Sequence, residues 1–595
     1  MCRFICVQVF LWQVFLWQVF SDRKAVTVKT AIQALSPAVQ PLCFAGQFMA
    51  HFTSVSLWVL VVLTGIPAMG FSQDVPPEVI DRDRSVRKQS DARSEALDKV
   101  REGVASGSPE VVLDFLGDAS GMVRDAVFSR LRKLSGEELD QVVKAWSRHP
   151  LRKAAPETRD LIESGLAEAL VQQPRPAAAD WLLTVASSKK SGQASRELSL
   201  AALAQLPQGS LDKKSLRTLT RLADKESAWW IRGEALLALS RLDPEAAEKS
   251  VSRAWNEKRL WPMRLISLQA QVHLDSAVAI ERATTLLAEE IRDRQGIWDG
   301  RIERAALQLL GEEVSQLPRA DRVETIESLI SRAMDAEDES WHPEIPVLRQ
   351  LTGVDLSTRR ITAWDSWWKS RKTQWLAGEK PTAEKGESAD EKGKTRVVEY
   401  HGVPIDSKRI VFVSDVSGGM SRTLDGEFDG SGPRRLEVAR KELLRVLGEL
   451  PAESLVQVMF FASLRIPVLP SPQLLARCHK VLKKRISEQG VPQGRGEARG
   501  NLYGPLRAAI MEPGIDTVIL LTEGAATEGR IHDGDRLCWH VERWNRWARV
   551  RVHVLSVGRL SGGNRAFLEK LAVGNGGEFH DIDDRLGKIE TGDRR

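Results

Sequence analysis

Polar residues with cation-binding oxygens follow a strongly apolar segment in the C-terminal third of the chain. The run Val411-Phe412-Val413 leads to Asp415 and Ser417, and a glycine turn that includes Gly419 comes next. A second carboxylate, Glu523, directly follows another apolar run. Carboxylate and hydroxyl oxygens are the ligands that Mg²⁺ and Mn²⁺ take in proteins. These residues form a candidate metal site, provided that the fold brings the two segments together.

The segments around these residues alternate between strand and helix patterns. The predicted strands are 409–414, 456–461, 466–469, 517–521, 550–557 and 578–582, and the predicted helices are 435–450, 474–486, 502–511, 536–547 and 565–571. This alternation predicts an α/β doubly wound, Rossmann-like fold, with a parallel sheet, helices on both faces and the strand 466–469 paired as a hairpin. Ligands of such sheets bind beyond the carboxyl ends of the strands. Asp415 and Glu523 are therefore expected on two loops that flank the point where the strand order reverses.

Residues 398–586 resemble a von Willebrand factor type A (vWA) domain. The motifs that carry the resemblance are Asp415-x-Ser417-Gly418-x-Met420, Asn501-Leu502-Tyr503, Leu520-Leu521-Thr522-Glu523-Gly524, Thr527-Glu528-Gly529 and Gly576-Gly577-Glu578-Phe579. The resemblance implies a metal-ion-dependent adhesion site with an Asp and two Ser from the first loop, a Thr from the second and an Asp from the third. An acidic group of a partner protein completes such a site, so that Mg²⁺ or Mn²⁺ binding and protein recognition become one event.

Three of the implied ligands are replaced in this chain. Gly419 stands in place of the second Ser, Gly500 in place of the Thr, and Glu523 in place of the third-loop Asp. Because Mg²⁺ and Mn²⁺ demand direct oxygen ligands in a strict geometry, these losses weaken binding. We expect a degenerate site of Asp415, Ser417 and Glu523, in which turn amides hold Asp415. The alternative is a working site in which waters or Glu523 fill the missing positions.

A basic, glycine-rich loop precedes Asn501. It lacks the Lys-Ser/Thr pair of a phosphate-binding loop and is interpreted as a mobile rim of the recognition face. Arg495 and Arg499 are candidate contacts for acidic groups of a partner, since guanidinium groups bind carboxylates with paired hydrogen bonds. Asn501 and Thr527 are further candidate partner contacts.

Residues 76–376 show a repeated helical pattern with apolar residues at i, i+4 and i+8. Six triplets mark it: Val123/Val127/Leu131, Ile162/Leu166/Leu170, Leu198/Ala202/Leu206, Ile231/Ala235/Leu239, Met263/Ser267/Gln271 and Ile302/Ala306/Leu310. Their first members lie 32 to 39 positions apart, a period typical of stacked helical repeats. Val123-Arg124 and Ile231-Arg232, preceded by Asp118 and Asp224 in predicted inter-helix turns, resemble HEAT repeats. This part is expected to be an all-α solenoid that offers a binding surface.

The end of the helical region carries a tryptophan stripe at Trp364, Trp367 and Trp368. We expect these rings to pack in the core of the last helix; a sugar-binding platform is the alternative. Residues 377–396 lack large apolar side chains over most of their length and are predicted to be a flexible charged linker. Residues 587–595 are expected to be a tail.

The N-terminus has a different character from the rest of the chain. Residues 1–48 are interpreted as a mis-called extension with Met49 as the true start, and residues 49–72 as a signal peptide or membrane anchor. Export to the periplasm, the cell surface or the medium is therefore expected, as in exported vWA-containing proteins of bacteria. Beyond this segment only Cys478 and Cys538 remain, and they are expected to be isolated buried thiols.

Composition and motifs exclude several functional classes. The formal charge is only +5 and no basic stripe is visible in the sequence, so a nucleic-acid partner is not expected. Zinc-site spacings and the common hydrolase motifs are missing from the sequence. We expect a protein–protein interaction or scaffold protein and no enzyme, with membrane contact only through an uncleaved N-terminal segment.

Two alternatives remain at this stage. One is a metal-assisted hydrolase that uses Asp415, Ser417 and Glu523. The other is a C-terminal domain that is purely structural and folds against the helical region. The polar linker argues against the tight docking that this second alternative needs.

Overall fold

The computed structural model shows a helical region followed by an α/β sheet region, and Gly70–Arg595 form one compact unit. The structure describes residues 71–72, isolated positions between 91 and 108, and 110–257, 261–288, 300–335, 342–354, 356, 361–379, 398–405, 407–427, 432–494 and 497–582. The predicted extension and C-terminal tail, and most of the predicted signal segment and linker, lie outside these residues. In the part of the chain that the structure describes, no helix has the length and apolarity needed to cross a membrane.

Fifteen helices are described in the helical region. They are α1 (Glu110–Leu116), α2 (Gly121–Leu131), α3 (Gly136–Trp146), α4 (Pro156–Gln172), α5 (Ala179–Ser187), α6 (Gln193–Leu203), α7 (Lys213–Lys225), α8 (Trp229–Leu242), α9 (Pro244–Trp255), α10 (Trp261–Val272), α11 (Ser276–Ala288), α12 (Gly300–Val314), α13 (Arg319–Asp335), α14 (Glu344–Thr352) and α15 (Ile361–Leu376). All members of the six predicted triplets are buried. Residues spaced by four share one face of a helix, and here that face enters the core.

The even-numbered helices from α2 to α14 form one continuous row, in which each helix contacts the next. Buried arginines repeat the same local bond near the start of several members. Arg124 donates to the carbonyl oxygens of Asp118 and Ala119, and Arg232 donates to that of Ala223. Each bond satisfies carbonyls left free where the preceding helix ends or turns. Asp224 does not lie in an inter-helix turn as predicted, because α7 continues through it to Lys225.

The tryptophan stripe of α15 is buried in a second helical cluster. Trp364 is fully buried, and Trp367 and Trp368 are at most 9% exposed. The ring centroids of Trp364 and Trp367 are 5.9 Å apart in an edge-to-face arrangement. These rings therefore pack in the core, as the sequence predicts, and present no exposed platform for a sugar.

The sheet region contains one large mixed sheet. Its strands are β4 (Arg409–Asp415), β5 (Leu455–Phe461), β6 (Arg465–Pro467), β7 (Gln473–Leu474), β9 (Thr517–Thr522), β10 (Arg551–Ser556) and β11 (Phe579–Asp581), and short pairs are formed by β1 (Phe71–Ser72) with β8 (Val491–Pro492) and by β2 (Glu399–Tyr400) with β3 (Val403–Pro404). The strand order is β11-β10-β9-β4-β5-β6, and β7 also pairs with β5. The first five strands of that order are parallel, while β6 and β7 run antiparallel to β5. The predicted hairpin is thus confirmed.

Helices cover both faces of this sheet. One face packs on α16 (Arg435–Glu449) and α17 (Leu475–Glu488), and the other on α18 (Tyr503–Met511), α19 (Gly534–Ala548) and α20 (Gly562–Val573). Alternate residues of β4 enter the two cores, with Phe412 on one side and Val413 on the other. The period of two in a strand requires this division. Because β4 lies between β5 and β9, the loops after β4 and β9 flank the reversal of strand order, as expected.

The helical and sheet regions are docked tightly through buried ion pairs, so the expectation that the polar linker disfavours docking was wrong. We call Asp125, Asp160, Glu197 and Glu234 the carboxylate row. Its members lie 35 to 37 positions apart, one on each of α2, α4, α6 and α8. Their ion-pair partners lie on or near α18 and α19: Arg536 for Asp125, Arg530 for Asp160, Arg507 for Glu197, and both Arg543 and Arg546 for Glu234. The linker's composition does not determine docking, because the complementary charges lie elsewhere in the chain.

Arg536 also pairs with Glu168, a carboxylate outside the row whose side chain is 1% exposed. It donates from Nε and Nη2 to the two carboxylate oxygens of Glu168 at 2.8 and 2.6 Å, and its guanidinium lies 4.0 Å from the ring centroid of Phe128. Burial alone would raise the pKa of Glu168, but Arg536 and His540 outweigh it and lower this pKa to about 2. Glu168 is therefore ionised and paired at the domain contact.

The even-numbered helices place opposite charges at the two ends of α19. At the N-terminal end of α19, Asp125 accepts hydrogen bonds from the backbone amides of His532 and Asp533 at 2.6 and 2.8 Å. At its C-terminal end, Arg304 of α12 donates to the carbonyl oxygens of Ala548 and Arg549. A helix carries partial positive charge at its N-terminus and partial negative charge at its C-terminus. Acid at one end and guanidinium at the other therefore fix the direction in which α19 lies.

Cys478 and Cys538 are both free and buried, as predicted. Cys478 lies in α17 and Cys538 in α19, on opposite faces of the sheet. Burial raises the pKa of Cys538 to about 12, so that its thiol stays protonated at neutral pH. Both behave as small apolar side chains.

Candidate functional site

Asp415 is the last residue of β4, and its carboxylate is fully enclosed. One oxygen, Oδ1, accepts a hydrogen bond from the Ser417 amide at 2.7 Å. The other, Oδ2, accepts from the Thr522 hydroxyl at 3.0 Å and from the Glu523 amide at 3.4 Å. The predicted turn amides thus hold this carboxylate, and the end of β9 adds a hydroxyl that the sequence had not suggested.

The Glu523 carboxylate packs directly against the Cα of Gly419. A Cβ atom built on Gly419 would lie 1.7 Å from Oε2 and 2.0 Å from Cδ of Glu523. The carboxylate of Glu523 therefore occupies the volume that a side chain at position 419 would need. The two departures from the adhesion-site pattern belong together, because the longer acid fits only beside a glycine.

The Glu523 carboxylate is paired with an internal cation. Arg435, the first residue of α16, places Nη1 at 3.1 Å from Glu523 Oε2, and both side chains are largely buried. Gly558, with φ of +88°, makes room on the other side, since a Cβ there would lie 2.2 Å from the Arg435 guanidinium carbon. A cation in the first turn of a helix opposes the helix dipole at a cost of about 0.3–1 kcal/mol. The contact with Glu523 compensates for that placement.

Asp415, Glu523 and Arg435 are thus three charged groups that lie together, largely buried, at this edge. Burial, and next the neighbouring Glu523 carboxylate, raise the pKa of Asp415 to about 6. The hydrogen bonds from Ser417 and Thr522 act in the opposite direction. Asp415 is consequently a weakened acid that depends on its donors to hold a charge.

The second loop closes the site without contributing a ligand. A Cβ at Gly500 would have its nearest neighbours at 3.7 Å, Thr527 Oγ1, and at 3.9 Å, Ser417 Oγ. A threonine here would therefore direct its side chain towards Ser417, but the glycine supplies none. Instead the Gly500 amide donates to Thr527 Oγ1 at 2.9 Å, and the Thr527 amide donates to the Gly500 carbonyl at 2.8 Å. Thr527 holds two loops together.

The remaining candidate contacts fall into two groups. Asn501 is half-buried and donates to the Ser463 carbonyl at 3.1 Å, so its amide serves the loop. Arg499 is 44% exposed and forms an ion pair with Glu528 at 2.9 Å. Arg495 lies outside the described residues. Of the four candidates, Arg499 is therefore the one that the structure shows exposed at the carboxyl edge of the sheet.

The donor set does not fit a divalent cation. Among the described residues, no group of three or more His, Cys, Asp or Glu side chains is arranged to hold a metal. The position of the second hydroxyl is filled by Glu523, which is itself bound to Arg435. A divalent metal would have to compete with the Arg435 guanidinium for the Glu523 carboxylate. It would also need oxygen ligands at the positions that Gly419 and Gly500 leave without a side chain.

Arg435 and the carboxylate row were missed by sequence reasoning. One feature of the sequence pointed to a cation such as Arg435. The chain keeps the carboxylates of Asp415 and Glu523 but lacks two of the implied metal ligands, so another positive charge is needed to balance them. The hint for the row was the spacing of Asp125, Asp160, Glu197 and Glu234 at 35 to 37 positions, close to the helical period. The apolar triplets alone did not reveal it.

Comparisons with known proteins give limited information. No protein-family model and no curated protein matches the chain. Among solved structures, the PilB minor pilin from Streptococcus sanguinis is similar at 13% identity and a TM-score of 0.24, over 32% of this chain and 62% of the pilin. The conserved hypothetical protein BatB from Bacteroides thetaiotaomicron is similar at 16% identity and a TM-score of 0.22, over 31% of this chain and 97% of BatB. The chain thus spans less than two thirds of the pilin, and likeness at this level assigns it no family and no activity.

Proposed function

We propose that this chain is an exported protein–protein interaction protein in which a HEAT-like solenoid holds a vWA-like domain in one fixed orientation. The observation that carries the proposal is the buried pairing of the carboxylate row with the arginines of the sheet region. A repeat surface is commonly a site for a partner. Here the helix face that carries the carboxylate row is covered by α19. The loops at the carboxyl edge of the sheet are therefore the surface that we propose for recognition.

The fixed orientation supports recognition at that edge because it braces one of its loops. Arg124 of α2 donates from Nη2 to the carbonyl oxygens of Gly529 and Arg530, at 2.9 and 3.2 Å. Gly529 lies in the same loop as Thr527, which is tied to Gly500. Binding to an ordered loop avoids the entropy cost of ordering it. The helical region would therefore raise affinity without touching the partner.

The side chains at this edge suit a partner that carries charged groups. Arg499 and Arg559 are exposed there, and Asp425 and Glu427 are exposed on the loop after β4. Exposed charges of both signs favour specificity and association rate more than affinity. We propose another protein, contacted in part through an acidic group at Arg499, as the partner, and no role for nucleic acid.

Site-specific photocrosslinking in the cells that produce the protein tests this proposal. A photoreactive residue at Arg559 is expected to give one adduct of defined mass. The same residue at Lys214, an exposed position on α7 of the helical region, is the matched control and should give none. Equal adducts at both positions, or none at Arg559, would contradict recognition at the carboxyl edge.

The buried domain contact also favours a second candidate, in which the vWA-like domain is purely structural. The two candidates differ at the edge loops, since a structural domain needs no partner there. Substituting Arg499 and Arg559 together by Ser would leave a structural domain's biological role intact and would abolish that of a recognition domain. A complementation assay in a strain lacking the protein distinguishes them, with protein abundance measured in parallel.

The hydrolase alternative gains no support from the site. It needs a bound cation and an activated water, whereas Asp415 is enclosed and Glu523 is paired with Arg435. We propose no catalytic role for this cluster. The export signal stays a prediction from the N-terminal sequence.

A further inference from the structure

The edge of the sheet keeps Asp415, Ser417 and Glu523 but has glycine at positions 419 and 500, where the resemblance implies two further hydroxyl ligands for a metal. The Glu523 backbone amide lies 3.4 Å from Asp415 Oδ2, and the Glu523 carboxylate is close enough to contribute to raising the pKa of Asp415. Largely buried carboxylates that repel each other require a compensating positive charge or a proton. The question is which group in the molecule supplies the charge.

We propose that Arg435 is the resident cation of this edge, and that its guanidinium holds the cluster together without a divalent metal. Its ion pair with Glu523 is direct, at 3.1 Å, and the Arg435 side chain is only 8% exposed. The inference concerns the cluster itself and holds whether or not the proposed partner exists.

Three features make this a built arrangement. Gly419 supplies the space for the Glu523 carboxylate, and Gly558 supplies the space for the guanidinium. Gly558 also has φ of +88°, a conformation that disfavours any larger residue. Finally, the loop after β4 anchors the start of α16, because the Arg435 amide donates to the Arg422 carbonyl at 2.9 Å. A guanidinium is suited to such a place, since it stays charged when buried and is weakly hydrated.

The glycine at position 419 and the glutamate at position 523 therefore depend on each other. A serine at position 419 cannot enter while Glu523 extends to Arg435, and a shorter acid at 523 would withdraw from the guanidinium. Restoring the three missing metal ligands alone leaves Arg435 beside the site, where its charge repels a cation. Metal binding should return only when the arginine is neutralised as well.

Thermal unfolding of the full chain, with Mn²⁺ or EDTA, tests the proposal. The wild-type Tm is expected to be unchanged by either. Arg435→Gln should lower Tm by roughly 3–5 °C in a cooperative unit as large as Gly70–Arg595, because it removes the guanidinium that pairs with Glu523. Mn²⁺ at about one hundred times its Kd should then recover roughly 2–3 °C by binding between Asp415 and Glu523.

Two further variants keep the test decisive. Arg435→Gln with Glu523→Gln removes both charges, so it should be less destabilised than the single variant and should not respond to Mn²⁺. Arg445→Gln is the matched control on α16, because Arg445 pairs with Glu442 and Glu449 at the exposed face. It should change Tm little and show no response to metal.

The results that overturn the proposal are equally defined. A shift of the wild-type Tm by Mn²⁺ or EDTA would show that a metal already serves the cluster. An Arg435→Gln protein with the wild-type Tm would show that the guanidinium carries no such role. If that variant does not fold, a metal response of the double variant would also refute the inference. None of these measurements involves a partner, so their failure is separate from failure of the crosslinking experiment.

Discussion

Replacing Arg536 with alanine should destabilise the whole docked unit. The side chain joins Glu168, which is 1% exposed, and Asp125, which is 8% exposed, and it covers the Phe128 ring. Removing one member of a buried ion pair costs about 3–5 kcal/mol, because the remaining charge stays buried without a partner. The lost contact with Phe128 adds up to about 2 kcal/mol. We therefore expect a loss of at least about 3 kcal/mol in the free energy of unfolding.

Urea unfolding of the full chain, followed by tryptophan fluorescence and far-UV circular dichroism, measures this loss. Arg499→Ala is the control, because its pair with Glu528 is exposed and such pairs contribute about 0–1 kcal/mol. Combining Arg536→Met with Glu168→Gln and Asp125→Asn removes the charges on both sides and should recover much of the stability. The reasoning is refuted if Arg536→Ala unfolds within about 1 kcal/mol of the wild type.

Three other predictions concern the contact between the helical and sheet regions and the carboxyl edge of the sheet. Because folding lowers the pKa of Glu168 from 4.5 to about 2, its contribution to stability is present above the unfolded value and is lost as pH falls through that interval. Urea midpoints between pH 2 and pH 5 should therefore fall more steeply for the wild type than for Glu168→Gln. Gly419→Ser should lower Tm because its Cβ meets the Glu523 carboxylate, and it should lower Tm much less when Glu523→Ala is already present, since the clash is then gone. Gly500→Ala, with no neighbour closer than 3.7 Å, should be tolerated. Differential scanning fluorimetry checks these variants. Cleavage by trypsin near Lys385 should leave two fragments that co-elute on gel filtration, since none of the ion pairs described between the two regions involves residues 377–396. Separate elution at neutral pH would contradict the docked arrangement.

The α/β elements could be predicted closely from the sequence, because their patterns are local. The strand expected at 517–521 is observed at Thr517–Thr522, and the helix expected at 435–450 is observed at Arg435–Glu449. Parallel pairing then brought the ends of β4 and β9 together, since neighbouring parallel strands end at one edge. Asp415 and Glu523 could therefore be placed at that edge in advance.

The domain contact could not be predicted in the same way. Arg536 and Glu168 are separated by 368 positions, and the linker's composition says nothing about either residue. The pairing depends on how the helices of the row stack, which determines the spacing of their side chains. Arg435 was missed for a related reason. The position of its guanidinium depends on the space left by Gly558, which has no side chain, and on the orientation of α16.

The match between the carboxylate row and α19 limits how this sequence can evolve. Repeat proteins commonly gain or lose a whole unit, because each unit contacts only its neighbours. Here each of α2, α4, α6 and α8 supplies an acid to a different arginine. Deleting one helix pair between Asp125 and Glu234 would move every later acid opposite the wrong arginine, so that all the later ion pairs would be lost at once. In the proposed solenoid, the number of units between Asp125 and Glu234 is therefore fixed by the sheet region that packs on them.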